Sequence, residues 1–159
     1  MLMSITSITE NLKSLYETDY DKWVLQTVQR LQEKKYEAID WENLIDEVAD
    51  LSRRERDKLM SLLTRLFEHL LKLAYWESER DYNYRGWNGE IQNFRIQIKR
   101  LLRKSPSLKV YLVEIFEECY QDAKKITIKK TGLESDLFPD KPIANLEQVL
   151  DDDWLPTIK

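Results

Sequence analysis

The sequence is poor in the residues on which several protein classes depend. It has one cysteine, one histidine, three glycines and four prolines among its 159 residues. A single cysteine excludes an intramolecular disulfide and any metal site built from several cysteines. A single histidine removes most zinc and di-iron designs. So few glycines and prolines argue against a turn-rich all-β fold and against a glycine-rich phosphate-binding loop.

Long apolar runs are also absent. No stretch approaches the roughly 20 apolar residues that a membrane-spanning helix needs. The longest candidate, residues 66–76, is interrupted by Glu68, His69 and Lys72. Residues 1–10 carry no Lys or Arg, and Ser or Thr interrupts every apolar run there, which is unlike a secretory signal. The sequence therefore predicts a soluble, cytoplasmic protein that does not enter membranes.

What the sequence does contain is enough to build a folded core. Hydrophobic residues make up 42% of the chain, aromatic residues 11% and charged residues 34%. This composition argues against disorder, and the length predicts a single domain over residues 1–159. The formal net charge of −4 weakens generic binding to a phosphate backbone.

Apolar residues recur at intervals of three and four along most of the chain, which is the spacing of one helix face. The predicted inward faces are Tyr20, Trp23, Val24, Val28 and Leu31; Trp41, Leu44, Ile45, Val48 and Leu51; Leu59, Leu62, Leu63, Leu66, Phe67, Leu70, Leu73 and Ala74; Trp87, Ile91, Phe94, Ile98, Leu101 and Leu102; and Leu108, Tyr111, Leu112, Ile115, Phe116, Cys119, Ala123 and Ile126. The pattern predicts an all-α fold, a bundle of four to five main helices with a short C-terminal helix and an irregular tail.

Capping residues predict where these helices begin and end. Asp40 is expected to cap the second of them, and Gly132 suits the position just after the end of the fourth. No Gly or Pro lies between Asp40 and Trp76, so residues 40–76 could form one continuous helix. Because Ser52-x-x-Glu55 has the form of a capping box, we favour a helix that is kinked or interrupted at Ser52. Residues 1–17 are predicted to be an N-terminal tail, 77–86 a charged aromatic loop, and 133–159 an irregular C-terminal segment.

Two groups of carboxylates are candidates for catalysis. They are Asp46, Glu47 and Asp50 on one predicted helix, and Glu114 and Glu117 on another. Facing each other across a bundle, such groups could hold Mg²⁺, which prefers carboxylates and water. The competing interpretation is a solvated surface with ion pairs between successive helical turns. We favour the interpretation as a solvated surface. The sequence therefore predicts no metal site and no cofactor.

A cluster of aromatic residues with arginines is a candidate binding surface. Tyr82, Tyr84, Arg85 and Trp87 belong to it, and Tyr, Trp and Arg are enriched where proteins bind partners. Alternatively, this segment folds over the end of the bundle and buries its rings. His69 is a further candidate, either as a base or ligand or, as we favour, as a boundary histidine hydrogen-bonded to another helix.

A basic arc is the best candidate for nucleic-acid binding. It comprises Arg95, Lys99, Arg100, Arg103 and Lys104, in a stretch, residues 87–110, of net charge +5. Aromatic residues that could stack on bases are missing from that face. Residues 134–153 carry seven acids and only Lys141. Charge pairing between these two stretches, within one chain or across a homodimer, explains both more simply than nucleic acid does.

The order of several short motifs resembles a known family. The motifs are Tyr16-Glu17-x-Asp19-Tyr20-x-x-Trp23, Asp40-Trp41-Glu42-Asn43-Leu44-x-Asp46-Glu47, His69-Leu70-Leu71-Lys72, Ser105-Pro106-Ser107-Leu108, Tyr120-x-x-Ala123, and Thr131-Gly132-Leu133 before Phe138-Pro139. Over residues 16–156 they are similar to domain-of-unknown-function family twenty-nine, which is abundant in cyanobacteria. The resemblance implies an all-helical fold and a cyanobacterial-type source. It brings no established activity, so it assigns no functional residue.

Together these observations favour a non-enzymatic protein-interaction or self-association module. Its predicted partner is another protein or a second copy of the chain, and not a membrane. The alternative is a Mg²⁺-dependent hydrolase of nucleotides or phosphoesters that uses Asp46, Glu47, Asp50, Glu114 and Glu117. Nucleic-acid binding through the basic arc is the third and least favoured hypothesis.

Overall fold

The computed structural model describes residues 4–159. Within that range the chain forms six α-helices and two short 3-10 helices and no β-strand, which confirms the predicted all-α class. The α-helices are α1 (Ile5–Thr18), α2 (Tyr20–Gln32), α3 (Trp41–Tyr75), α4 (Glu77–Lys104), α5 (Leu108–Thr131) and α6 (Leu146–Leu150). Every helix in the described range is too short or too polar to span a membrane.

The chain forms two compact units. The first ends at Arg53, and the second comprises Arg54–Lys159. The boundary falls inside α3. The single domain over residues 1–159 stays a prediction.

In the first unit, a helix replaces most of the predicted N-terminal tail. Ser4 begins α1, because its side chain accepts a hydrogen bond from the backbone N–H of Ser7 at 3.3 Å. Leu12 is fully buried. The tail was predicted because residues 1–17 show no strong apolar period, but the cap at Ser4 and the burial of Leu12 stabilise a helix there. Residues 1–3 of the predicted tail lie outside the described residues.

Asp40 begins α3, as predicted, and also anchors α2. One carboxylate oxygen accepts the backbone N–H of Asn43 at 3.4 Å, and the other accepts the indole N–H of Trp23 at 3.3 Å. Asp40 and Trp23 are both buried. A buried carboxylate that receives several hydrogen bonds fixes the start of α3 against α2.

The predicted interruption at Ser52 is wrong, because α3 continues without a break from Trp41 to Tyr75. In a capping box the Glu55 side chain would turn back to the backbone of Ser52. Instead the Glu55 carboxylate accepts hydrogen bonds from Lys104 Nζ at 2.5 Å and from Ser105 Oγ at 3.1 Å. The Glu55 side chain therefore contacts the end of α4 and does not cap a helix at Ser52.

The predicted loop over residues 77–86 is also wrong, because these residues are the first turns of α4. Glu77 and Glu79 lie in the first turn, where negative charge is favourable. The Arg80 guanidinium donates to the carbonyl oxygens of Leu73 at 2.8 Å and Ala74 at 2.9 Å, which satisfies the end of α3. These contacts outweigh the cost of about 1 kcal/mol for a helical glycine such as Gly86.

In the second unit, α3, α4 and α5 enclose the core together with the C-terminal segment. Phe67 of α3 packs edge-to-face against Phe116 and Tyr120 of α5. Gly132 ends α5 in the left-handed conformation, with φ of 70°, as the sequence predicts. Residues 133–159 are irregular apart from one 3-10 turn and α6, which confirms the predicted C-terminal segment.

Candidate interaction surface

The first unit exposes apolar residues that the sequence predicts to be inside. On α3, Trp41, Ile45, Val48 and Leu51 are between 46% and 63% exposed. They were expected to face the core together with Leu44, which is half-buried. The periodic pattern identified the apolar side of the helix correctly, but in the first unit that side faces solvent. We call Trp41, Ile45 and Val48, with Leu51 at the edge, the α3 stripe.

Contacts on another side of α3 explain why the stripe is left open. The hydroxyl groups of Tyr16 on α1 and Tyr20 on α2 each donate to the Glu47 carboxylate, both at 2.7 Å. The hydrogen bond to Glu47 raises the pKa of the Tyr16 hydroxyl to about 12. Glu47 lies about 100–160° around the helix from Trp41, Ile45 and Val48. Helices α1 and α2 therefore hold α3 by its polar side.

Helix α2 shows a second departure from the predicted inward face. Trp23 is buried as predicted, but Tyr20 and Val28 of the same predicted face are exposed. Leu25 is exposed as well. Contiguous apolar residues on a protein surface mark interaction sites more often than isolated ones do. The exposed face of α2 adds to the apolar surface of the first unit.

The first acidic group is engaged in local contacts. Glu47 holds the two tyrosines, and Asp50 forms a salt bridge with Arg53 at 2.8 Å. Asp46 is exposed. These contacts are typical of the surface interpretation.

The second acidic group, Glu114 and Glu117, is exposed on α5. Across residues 4–159, no three His, Cys, Asp or Glu side chains are grouped closely enough to hold a metal ion. The catalytic role of the two acidic groups stays a prediction.

His69 is half-buried and makes its contacts differently from the prediction. Its Nδ1 lies 2.8 Å from the carbonyl oxygen of Arg65, so the hydrogen bond lies within α3 and not across to another helix. The contact with α4 is aromatic, since the ring packs edge-to-face on Phe94 with 5.2 Å between centroids. Burial lowers the pKa of His69, and the bond to Arg65 partly opposes that effect.

The four residues of the aromatic candidate do not share one surface. Trp87 is buried and stacks on Trp76, with 5.7 Å between ring centroids. Tyr82, Tyr84 and Arg85 are exposed, and Tyr82 is 92% exposed. Because this segment is helical, Tyr82 and Tyr84 project about 160° apart. Trp87 and Trp76 therefore agree with the alternative interpretation, in which this segment buries its rings and does not present them to a partner.

We expect substitutions at Trp87 and Tyr82 to distinguish a ring that packs in the core from a ring that lies on the surface. Trp87→Ala removes a buried, stacked ring and is expected to lower the free energy of unfolding by about 3–5 kcal/mol. Tyr82→Ala, on the same helix, is the matched control and is expected to change it by less than about 0.5 kcal/mol. Chemical denaturation followed by circular dichroism measures both. Equal losses of unfolding free energy in the two variants would contradict the burial of Trp87 against Trp76.

The second unit contains a buried ion-pair cluster that was not predicted from the sequence. The Glu68 carboxylate is buried and accepts from Lys72 Nζ at 3.0 Å and Lys130 Nζ at 2.5 Å. Burial alone raises the pKa of Glu68, but the hydrogen bonds from Lys130 and Lys72 outweigh it and hold the pKa below its ordinary value. The signal in the sequence was an acid within an apolar run, followed by a lysine four residues later.

Arg95 was predicted to lie on the basic arc but is buried, which corrects that assignment. Its Nε donates to the carbonyl oxygen of Val149 and its Nη2 to that of Trp154, both at 2.8 Å. Burial lowers the pKa of Arg95, and the charges of Asp152 and Asp151 oppose that effect. Arg95 thus fastens the C-terminal segment to α4.

Lys99 shows that charge pairing within one chain accounts for part of the arc. It forms a salt bridge with Asp152 at 2.8 Å, and Gln92 donates to the same carboxylate at 3.2 Å. This confirms pairing between the basic and acidic stretches for that residue. Arg100, Arg103 and Lys104 stay exposed, so the surface left for a nucleic acid is smaller than predicted.

Two surface pockets lie where the C-terminal segment meets the helices. One, of about 390 Å³, is lined by Ala74, Tyr75, Pro139, Ile143, Gln148, Trp154, Pro156, Thr157 and Lys159. The other, of about 550 Å³, is lined by Leu102, Lys109, Leu112, Asn145, Leu146, Glu147 and Leu150. Neither is lined by the carboxylates that the hydrolase hypothesis names. The α3 stripe is therefore the stronger candidate for a functional surface.

Comparison with known proteins supports the family that the order of the sequence motifs resembles. No curated protein and no solved structure matches the chain significantly. The family model described as "Domain of unknown function DUF29" matches residues 15–155, from the end of α1 to beyond α6. This confirms the resemblance, whereas the cyanobacterial-type source stays a prediction. The match covers most of the chain, which therefore belongs to the DUF29 family of domains of unknown function.

Proposed function

We propose that this protein is a non-enzymatic interaction module that associates with a second copy of itself or with another protein. The observation that carries the proposal is the exposed α3 stripe, together with Leu25 and Val28 on α2. A cytoplasmic location is part of the proposal.

The physical reason is the free energy available on covering the stripe. Fully burying a Val, Leu or Ile side chain is worth about 1.5–3 kcal/mol relative to leaving it in water. Tryptophan, here Trp41, is among the residues that most often dominate binding energy at interfaces. Several such side chains on one face supply enough apolar surface for association, provided that the partner is complementary.

The test is the mass of the purified full-length chain over a range of concentrations, measured by sedimentation and light scattering. We expect the mean mass to rise reversibly with concentration, or else a defined protein to bind in a way that polar substitutions in the α3 stripe abolish. A chain that stays monomeric at every concentration, with no stripe-dependent partner in the host, would contradict the proposal.

A further inference from the structure

We propose that a groove between α3 and α4 binds the phosphate backbone of a double-stranded nucleic acid. The groove lies in the second unit, so this inference is independent of the α3 stripe and goes beyond the proposed function. Two rows of exposed or half-buried polar side chains border it, one on each helix. We call them the α3 row, Arg54, Lys58, Ser61 and Arg65, and the α4 row, Asn93, Gln97, Arg100 and Lys104.

The α3 row follows one side of its helix. Its members are four, three and four residues apart, so at 100° per residue they project within about 60° of one another. They extend over about 16 Å of the helix axis. The guanidinium of Arg65 lies over the ring of Phe94 on α4, 5.2 Å from the ring centroid. The row therefore lies along the boundary between α3 and α4.

The α4 row has the same spacing and borders the same boundary. Its members also lie four, three and four residues apart and project within about 60° of one another. The Nζ of Lys104 donates to the Glu55 carboxylate of α3 at 2.5 Å, which places this side of α4 beside α3. The two rows therefore form the two walls of one groove.

The contacts of Lys104 and Arg65 also determine how the rows are matched. Lys104 meets α3 near the beginning of the α3 row, and Arg65, at the end of that row, meets α4 near the beginning of the α4 row. The helices are thus antiparallel, which places Arg54 opposite Lys104 and Lys58 opposite Arg100. Four cations surround one half of the groove, and Arg65 lies in the other half.

The groove concentrates positive charge on a chain whose net charge is −4. The two rows contain five cations and no acid. The neighbouring carboxylate of Glu55 is occupied by Lys104 and Ser105. The basic arc predicted from the sequence loses Arg95 and Lys99 to the C-terminal segment, but α3 supplies three cations in their place. Such a patch attracts and orients a polyanion.

The other side chains of the rows favour a nucleic-acid duplex as that polyanion. Ser61, Asn93 and Gln97 are of the types that contact phosphates and sugars together with Lys and Arg. Aromatic side chains, which stack on the bases of a single strand, are missing from both rows. Large apolar side chains, which an amphipathic helix inserts into a membrane, are missing as well.

The dimensions of the groove also suit a duplex. Packed helices lie about 8–10 Å apart, which falls between the widths of the minor and major grooves of DNA, about 6 and 12 Å. Each row can therefore contact one of the two strands that border a groove. A duplex carries about one negative charge per 1.7 Å of its axis, so the 16 Å length of the rows faces about nine phosphates.

The first experiment titrates a fluorescently labelled DNA duplex of mixed sequence with the full-length chain and follows anisotropy at several salt concentrations. We expect binding at low salt that weakens steeply as salt is added. With four to five phosphates neutralised, the slope of log K against log salt concentration is expected to be about −4. No binding at low salt, or a slope near zero, would overturn the proposal.

The second experiment removes one cation at a time. Lys58→Gln and Arg100→Gln are each expected to weaken binding about tenfold at low salt and to reduce the salt slope by about 1. Arg85→Gln on α4 and Lys125→Gln on α5 are matched controls, since both residues are exposed, lie outside the rows and change the net charge equally. The controls are expected to stay within about twofold of the wild type. Thermal unfolding monitors the fold of all four variants, which are expected to melt close to the wild type. Equal weakening by the controls would show that net charge, and not the groove, is responsible.

Three further probes distinguish other partners. A DNA single strand that binds as tightly as the duplex would overturn the duplex assignment. Polyglutamate that binds as tightly at equal charge would indicate an acidic protein, and vesicles of anionic lipid that do so would indicate a membrane. Either result would overturn the proposal. None of the variants alters the α3 stripe, so a failure here leaves the proposed function standing, and a monomeric chain without protein partners leaves this inference standing.

Discussion

An Arg95→Leu variant is expected to lose about 3–5 kcal/mol of the free energy of unfolding. Only 1% of Arg95 is exposed, and its guanidinium donates to the carbonyl oxygens of Val149 and Trp154. Hydrogen bonds from charged donors contribute about 1.5–3 kcal/mol each, and leucine leaves both buried acceptors without that partner. The loss is large because leucine also leaves part of the space unfilled.

The measurement combines urea denaturation with limited proteolysis. Arg100→Leu, at an exposed position on the same helix, is the control and is expected to stay within about 0.5 kcal/mol of the wild type. If Arg95 fastens the C-terminal segment, a glutamate-specific protease should cleave at Glu147 faster in Arg95→Leu than in the control. A C-terminal segment that resists cleavage as well as the wild type does would show that other contacts hold it.

A Glu68→Gln variant is expected to lose about 3–5 kcal/mol at neutral pH. Glutamine keeps the shape of the side chain but leaves the charge of the buried Lys72 ammonium without its carboxylate. Removing one partner of a buried ion pair costs more than the pair itself contributes, because the other charge stays desolvated. Lys130→Met is expected to cost less, since the Lys130 side chain is 54% exposed and Glu68 keeps Lys72. Denaturation at constant pH measures both.

The difference in unfolding free energy between the wild type and Glu68→Gln is also expected to depend on pH. The pKa of Glu68 in the folded protein lies below its ordinary value of 4.5. Its stabilising contribution is therefore complete above about pH 4.5 and is lost as the pH falls through the folded pKa. The difference in unfolding free energy between wild type and Glu68→Gln should be constant from neutral pH to about pH 5 and shrink in more acidic solution. A difference that grows on acidification would contradict the ion-pair assignment.

Several helix ends could be predicted because the signals for them are local. Asp40 begins α3 and Gly132 ends α5, as their positions in the sequence predict. A cap acts on backbone groups within about one turn, so a few residues of sequence contain the whole interaction.

Two local signals failed because residues from elsewhere in the chain competed for the same groups. Glu55 has the spacing to cap at Ser52, but Lys104 and Ser105 occupy its carboxylate. Gly86 resembles the end of a loop, but Arg80 on the first turns of α4 secures the adjoining end of α3 and the helix passes through the glycine. Neither partner can be identified from spacing along the chain.

The candidate site was predictable only in part, for the same reason. The interaction hypothesis followed from composition and charge, but it was placed on Tyr82, Tyr84, Arg85 and Trp87, which the helix disperses around its surface. The α3 stripe was recognised as apolar and assigned to the interior. The hydrogen bonds of Tyr16 and Tyr20 to Glu47, which turn another side of α3 inward, join residues about 30 positions apart.

The sequence by itself determined the helical class, several helix ends and the family, because periodicity and caps depend on residues within one or two turns. Only the tertiary structure decided which apolar faces are covered and which charges are buried. Residues 41–51 and 59–73 of α3 carry the same kind of apolar pattern, yet the second packs in the core of its unit while the first faces solvent. Whether a face is covered depends on where distant helices lie, and periodicity along one helix does not contain that information.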